Sequence, residues 1–462
     1  MTKKILAVVL GSLVASSFAD VTLYGKVSAA LENDSFPSAN QVQPGTTSIQ
    51  DYGSYFGIRG TDNVYGQTAA IWQVEQFLNI TSGQAYQNTT GSGWVPNHPG
   101  SGSNGQPTNT ANALATSDSY IGLQGGWGRV RVGNLSNSFR TNTGAVDVYS
   151  GNNANVFGTY DRMLAVLSQT VRYDSPAWGD FSFAAYYSFN QDGNYNTGGA
   201  NGNGLDGSSG LNGYNNAGVY GFGLFYTPGN YAFTWNNQIY QNTGIYQGMG
   251  GSQPGNIGSN YVQQGINAYV SRLELSYNDP DSWFLGFGGQ ISQGLGWFAV
   301  PGNGNLNNFW IQNPGQNGVN SQYINAASCV GGYCALNQAV LSTAEAGLSL
   351  GWHLGNFTPK IGYVYGANMM AGGSPWDIIS GNNQIGNTGY QQAIAELDWS
   401  ITPRTIAFIN YGQIWYGSAA QNSIMSSSGQ NPTSSTGNGT ITTNGSKWIN
   451  NGTAAVGFSH TF

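Results

Sequence analysis

Two stretches, Gly-Arg-Val-Arg-Val-Gly (128–133) and Thr-Val-Arg-Tyr-Asp-Ser-Pro-Ala-Trp-Gly-Asp-Phe-Ser-Phe-Ala-Ala-Tyr-Tyr-Ser-Phe (170–189), decide what this chain is. Both alternate polar and apolar residues with period two, the signature of strands. Arg129, Arg131, Arg172 and Asp174 fall on one face; Val130, Val132, Val171 and Tyr173 fall on the other. Between them runs a connection of about thirty residues, 134–167, that holds Asp147 and Asp161. So long a loop between neighbouring strands is commonly functional. Two readings are open here: a surface loop on a soluble β-protein, or a loop folded into a barrel against an arginine-lined wall.

Composition separates them. Charged residues make up 7% of the chain, against about 25% in soluble proteins. Gly accounts for 70 of 462 residues, with 28 Tyr and 13 Trp. A soluble β-domain would carry more surface charge, and a low-complexity disordered chain would lack the aromatics. Few charges with many aromatics and glycines suit a transmembrane β-barrel. The chain opens with Lys3 and Lys4, an apolar run over 5–14 and Ser17-Phe18-Ala19. This is the pattern of a secretory signal peptide, 1–19, cleaved to leave Asp20 first and a barrel domain over 20–462. No later stretch offers about 20 consecutive apolar residues for a spanning helix. The formal charge is −7; without Lys3 and Lys4 it is −9. That balance argues against nucleic acid, which binds basic surfaces.

Strand patterns recur along the whole chain: 21–32, 54–60, 67–77, 118–124, 129–133, then five pairs, and last 453–462. The tight joins inside the pairs are Ser-Pro-Ala-Trp-Gly, Thr-Pro-Gly-Asn, Asn-Asp-Pro-Asp, Leu-Gly-Asn and Ile-Thr-Pro, all built of turn-forming residues. An earlier turn is expected over 62–66. The count is about 16 strands, with short turns alternating with long loops, which is the layout of a membrane barrel. Closing the barrel pairs every strand edge, as a bilayer requires.

The phase of the charges tests this independently. With each strand's outward face set by its apolar residues, Lys26, Glu32, Arg59, Glu75, Asp118, Arg129, Arg131, Arg172, Asp174, Arg272, Glu274, Glu345, Lys360, Glu396 and Asp398 all fall on the other face. A basic side chain facing lipid at the midplane costs about 2–4 kcal/mol. Asn237 is the one polar residue out of phase.

At this point a family resemblance is legible. Asp-Val-Thr-Leu-Tyr-Gly-Lys-Val (20–27), Tyr-Ile-Gly-Leu-Gln-Gly (120–125), Gly-Arg-Val-Arg-Val-Gly-Asn (128–134), Thr-Val-Arg-Tyr-Asp-Ser-Pro (170–176) and Val-Gly-Phe-Ser-His-Thr-Phe (456–462) resemble the Gram-negative general porins of the neisserial and β-proteobacterial type. The resemblance implies a trimeric, 16-stranded porin in the outer membrane, among its lipid and lipopolysaccharide, with the third loop inside the barrel. It also implies that terminal Phe462 is read by the outer-membrane assembly machinery. The chain departs from the family in its third loop, where Asn-Val-Phe-Gly (155–158) replaces Pro-Glu-Phe-Gly. It departs also at Ser459 and Thr461, where basic residues are common, and in its nearly uncharged outer loops.

The functional expectation is a diffusion channel for ions and small hydrophilic solutes. Its lumen site would comprise Arg59, Arg129, Arg131 and Arg172 facing Asp147 and Asp161, with Lys26, Glu75 and Asp174 beside them. Opposed charges on two walls of a narrow pore set a field and an ion preference. The simpler alternative is that the arginines only neutralise lumen carboxylates. A sugar-selective channel and a barrel-anchored adhesin are the other function classes kept open. Cys329 and Cys334 are expected to form a disulfide, an even, close pair in an exported chain; two free thiols or half of a metal site are the alternatives. Catalysis is not expected. His98, His353 and His460 are the only histidines, none falls in a Ser/His arrangement, and no motif calls for a cofactor or metal.

Overall fold

The computed structural model describes residues 20–35, 37–38, 41–42, 46–81, 114–142, 144–150, 160, 166–189, 218–241, 245–247, 261–262, 268–293, 310–312, 333–335, 339–371, 384, 389–417 and 450–462. Sixteen long strands follow one another around a single closed sheet. They are β1 (Thr22–Ser35), β2 (Tyr55–Tyr65), β3 (Thr68–Phe77), β4 (Ser119–Gly125), β5 (Gly128–Ser136), β6 (Val166–Asp174), β7 (Phe181–Ser188) and β8 (Val219–Tyr226). The second half comprises β9 (Tyr231–Tyr240), β10 (Ala268–Asn278), β11 (Trp283–Gln293), β12 (Ala339–Trp352), β13 (Phe357–Gly366), β14 (Tyr390–Thr402), β15 (Thr405–Tyr416) and β16 (Asn450–Thr461). Every neighbouring pair is antiparallel, and β1 closes on β16 from Lys26↔Thr461 to Ser35↔Gly452. Closure leaves no free edge among these strands, which only a barrel achieves.

The sheet is dressed for lipid outside. Leu23, Val27 and Leu31 on β1, Val132 on β5, Leu273 and Leu275 on β10, Ile361 on β13 and Val456 on β16 are all exposed, while Glu32, Arg131, Arg172, Arg272, Glu345 and Glu396 are buried. A water-soluble fold does the reverse. Here apolar side chains meet hydrocarbon and charged ones meet the lumen. Asn237 is again the exception: its Nδ2 is buried with no partner, and nothing in the structure explains it.

The short turns hold to the expected chemistry. Gly179 in Ala-Trp-Gly has φ +63°, a left-handed conformation that suits glycine. In the β10–β11 turn Asp279 accepts from Ser282 Oγ at 2.8 Å and Asp281 N at 3.1 Å. These hydrogen bonds hold its carboxyl below the usual carboxylate range.

Several strands run a few residues past the expected bounds, as β5 does to Ser136, and two differences go further. The stretch 62–66, expected as a turn, is mostly strand: β2 runs to Tyr65 with a register shift between Asn63 and Tyr65, and only Gly66 and Gln67 turn. Gly66, at φ +57°, allows the tighter reversal. Second, a segment Thr46–Asp51 pairs with the outer half of β1 and continues the line of β2. The break between them is held by Asp51 Oδ1, which accepts from Gly53 N at 2.9 Å and Ser54 N at 2.8 Å. Tyr52, at the break, packs on Phe408, Ala30 and Ala455 and donates to Glu32.

Candidate functional site

The arginines of β5 and β6 gather around one carboxylate. Arg131 Nη2 lies 2.8 Å from Asp174 Oδ2, Arg172 Nη2 2.8 Å from Asp174 Oδ1 and Arg129 Nη2 3.3 Å from Asp174 Oδ2. Arg131 also lies 3.6 Å from Asp118, and Arg172 Nη1 donates to Ser136 O at 2.6 Å. Register explains the need for this bridge. Arg131 and Arg172 stand directly opposite each other, and like charges so placed repel. Asp174, next along the same face, neutralises part of both.

Next to this cluster lies α1 (Ser138–Asn142), the start of the third loop. Its Arg140 sits 3.7 Å from Glu75, donates to Ser117 and Ser136 Oγ, and stacks 5.1 Å from the Phe77 ring centroid. Glu75 also accepts from Tyr24 Oη at 2.9 Å. Arg59 is exposed and sits 5.1 Å from the Tyr24 ring centroid. Lys26 is half-buried on the same face of β1.

From α1 the loop crosses the barrel. Asn137 donates to Gln238 on β9 at 3.0 Å. Tyr160 O accepts from Arg272 on β10 at 2.7 Å and from Gln290 on β11 at 3.1 Å. Arg272 is capped by the Tyr160 ring at 4.3 Å and by Phe139 at 5.3 Å. Ser349 on β12 donates to Ala145 O. Lys360 Nζ on β13 donates to Val148 O at 2.8 Å. Ser150 donates from N to Glu396 at 2.8 Å and from Oγ to Asp398 at 3.0 Å, both on β14. Lys360 completes that end, 2.9 Å from Glu396 and 2.6 Å from Asp398. The loop therefore leaves β5 and is seated on β9 to β14, across the lumen.

Glycines make the seat. A Cβ on Gly286 would lie 1.5 Å from Ala145 O, one on Gly288 2.7 Å from Val146 Cγ2, and one on Gly347 2.6 Å from Val146 Cγ1. All three point inward, and their missing side chains let the loop lie directly on the sheet.

Charge is divided between the walls. Among the described side chains, the charges on and beside β1 to β6 that face inward are Lys26, Arg59, Arg129, Arg131 and Arg172 against Glu32, Glu75, Asp118 and Asp174, with Asp51 close enough to act on Lys26; α1 adds Arg140. On β10 to β14 Arg272 and Lys360 face Glu274, Glu345, Glu396 and Asp398. One wall carries a basic excess and the other an acidic one. Asp147 lies on the loop over the acidic side. Burial pushes the Tyr149 phenol well above its usual range, and the charges of Asp147 and Glu396 add to this. Asp161 and Cys329 lie outside the described residues, as does 1–19; Cys334 falls in Tyr333–Ala335, which pairs with Trp310–Gln312.

Sequence reasoning did not single out Arg140, the Lys360–Glu396–Asp398 triad as a seat for the loop, or the glycine track. Arg140 lies on a helix and has no strand phase; the sequence signal of the others is inward phase alone, which Gly286, Gly288 and Gly347 share with the lumen charges.

A closed sixteen-stranded barrel, apolar outside and charged within, crossed by its third loop, is an outer-membrane channel protein of the porin class. The chain belongs to the Gram-negative porin family, which matches residues 5–295. It is 25% identical over 436 residues to the major outer membrane protein P.IA of Neisseria meningitidis serogroup C, covering 89% of this chain and 93% of that protein. It is 31% identical over 202 residues to the major outer membrane protein P.IB of Neisseria sicca; there it spans about half of the relative, 49%, and 42% of its own length. Among solved structures, an anion-selective porin from Comamonas acidovorans superposes with a TM-score of 0.57 at 13% identity, covering 96% of this chain and 100% of that one. That likeness concerns the fold.

Proposed function

We propose that the protein is a general diffusion porin, a water-filled channel for passive passage of ions and small hydrophilic solutes across the outer membrane. The observation that carries this is the third loop seated across a lumen whose two walls bear opposite charge excess. Such a loop narrows the bore, and charges at close quarters in a narrow aqueous path set selectivity.

The same residues support a pore that is weakly selective, near neutral or slightly anion-leaning, despite the charge of −9 left once Lys3 and Lys4 are removed with the signal peptide. Charges on distant loops are screened beyond about 8–10 Å at physiological salt. On the basic wall two cations reach water more than their partners do: the side chain of Arg129 is 39% exposed against 16% for Asp174, and that of Arg140 27% against 9% for Glu75, while Arg131 and Arg172 are nearly buried. Arg59, Arg129, Arg131, Arg172, Asp147, Asp161, Lys26, Glu75 and Asp174 are the proposed pore-lining set. The family supports a homotrimer, in which the second long loop, 78–117, would reach a neighbouring subunit. Export with cleavage after Ala19, a Cys329–Cys334 disulfide, and contact with lipopolysaccharide complete the reading.

Single-channel conductance with reversal potentials in a planar bilayer tests it. The wild type should give a stable ohmic pore with a reversal potential near zero or on the anion side. The double variant Arg129→Gln, Arg131→Gln should remain folded and move toward cation preference. An unmoved potential in the folded variant would remove these arginines from the conducting path. Liposomes should swell at rates graded by sugar size; one preferred sugar would make the channel substrate-selective, and no flux would make the barrel an anchor.

A further inference from the structure

The basic wall is aromatic as well as charged. Tyr24, Tyr55 and Tyr120 share the inward phase of Lys26, Arg59 and Asp118, and each is partly open to the lumen. The Tyr24 ring lies flat against β2, because its neighbour there is Gly57: a Cβ on Gly57 would fall 2.3 Å from Tyr24 Cζ. The bond from its hydroxyl to Glu75, 2.9 Å, pins the ring. Tyr55 meets Tyr24 edge to face, with centroids 6.2 Å apart and planes at 61°.

On this platform sits Arg59, its guanidinium carbon 5.1 Å from the Tyr24 centroid. Among the described residues, the other arginines of this wall all pair with carboxylates: Arg129, Arg131 and Arg172 with Asp174, and Arg140 with Glu75. Arg59 alone of them has no carboxylate within 4.0 Å among the described residues and is exposed. It is thus a planar cation oriented by a ring, with its N–H fork unoccupied and open to the lumen. Such a fork binds carboxylates in two parallel hydrogen bonds, and the guanidinium plane stacks on aromatic faces.

We propose that Arg59 on Tyr24 is a stacking station for planar organic anions, with aromatic carboxylates as the solute class. The solute's ring stacks on the face of the guanidinium turned away from Tyr24, so that the cation lies between two rings, and its carboxylate is drawn to the open N–H edge. A saturated ring of equal charge and similar size gains the ion pair but not the π contacts. One exposed contact of this kind confers a preference of about two- to five-fold. The proposal rests on the anion-leaning reading of the pore but is separable from it.

The experiment is bi-ionic reversal potentials in planar bilayers, with benzoate and cyclohexanecarboxylate each measured against chloride. The wild type should favour benzoate over cyclohexanecarboxylate by about two- to five-fold. Arg59→Lys keeps the charge and removes the plane, so its ratio should fall to about one. Tyr24→Leu should do the same, while Tyr24→Phe keeps the ring and should retain the preference. Equal permeation of the two anions in the wild type would overturn the proposal, as would a preference that survives both Arg59→Lys and Tyr24→Leu. The potassium–chloride potential of the wild type reports on the anion reading separately: a cation-selective pore that still prefers benzoate would refute that reading and leave the station standing.

Discussion

Asp174 shows how one residue sets the character of a wall. It bridges Arg131 and Arg172, which face each other across β5 and β6, and also receives Arg129. Removing it leaves two nearly buried guanidiniums opposed, with Asp118 as the nearest remaining acid to Arg131, at 3.6 Å. Asp174→Asn keeps the shape and removes the charge. Breaking a buried ion pair from one side costs about 3–5 kcal/mol; because the site borders water, about 3 kcal/mol is expected, read as a lowered urea midpoint of the folded barrel. The reversal potential should move toward anions in the same variant. Arg129→Gln should behave differently. Its side chain is 39% exposed, and exposed pairs contribute about 0–1 kcal/mol, so its urea midpoint should scarcely move. A stability loss as large as that of Asp174→Asn would mean that Arg129 is structurally tied into the cluster.

At the scale of elements, the third loop depends on the strands it is laid against. Gly286, Gly288 and Gly347 leave room for 145–146, and Lys360, Glu396 and Asp398 fasten 148–150. Gly286→Ala would put a methyl group where the Ala145 carbonyl now lies, 1.5 Å from an ideal Cβ. Backbone must move, and the free direction is toward the middle of the lumen. The variant should fold, at a cost of about 1–3 kcal/mol, and should conduct less per channel. An unchanged conductance would show that this part of the loop does not bound the conducting path. The strands themselves were legible in the sequence because period two, turn residues and charge phase are local signals, and Arg131 or Lys360 could be placed facing inward from them. The seat was not legible. It joins residues such as Ser150 and Asp398 that are far apart in the chain, and a glycine that receives a loop has the same local pattern as one that merely lightens a strand. That the arginines neutralise lumen carboxylates such as Asp174 and Glu75 was legible as an alternative; that three converge on Asp174 was not, because alternation gives each side chain a face, but the register between strands decides which partners meet on it.

At the scale of the molecule, everything depends on closure between β1 and β16. The seam runs to Phe462: Phe462 N donates to Gly25 O and Gly25 N to Phe462 O, both at 3.1 Å. The Phe462 ring lies over Gly25, where a Cβ would come within 2.6 Å of its Cζ. His460 extends the joint on the other side, with Nδ1 2.9 Å from Thr405 Oγ1 on β15. Phe462 therefore has a place in the finished barrel besides the role that the family resemblance implies, a tag read by the assembly machinery, and two variants separate the roles. Phe462→Ala removes the ring from both. Gly25→Val disturbs the seam from the β1 side and leaves the terminal ring for a receptor to read. Purified and refolded into detergent, both should unfold at lower urea than the wild type, because unpaired edges in a bilayer or micelle are costly. In cells the two should diverge. Phe462→Ala should give much less heat-modifiable barrel in the outer membrane than Gly25→Val, even where their urea midpoints match. Equal losses in cells would reduce Phe462 to a closing residue and withdraw its role as an assembly signal.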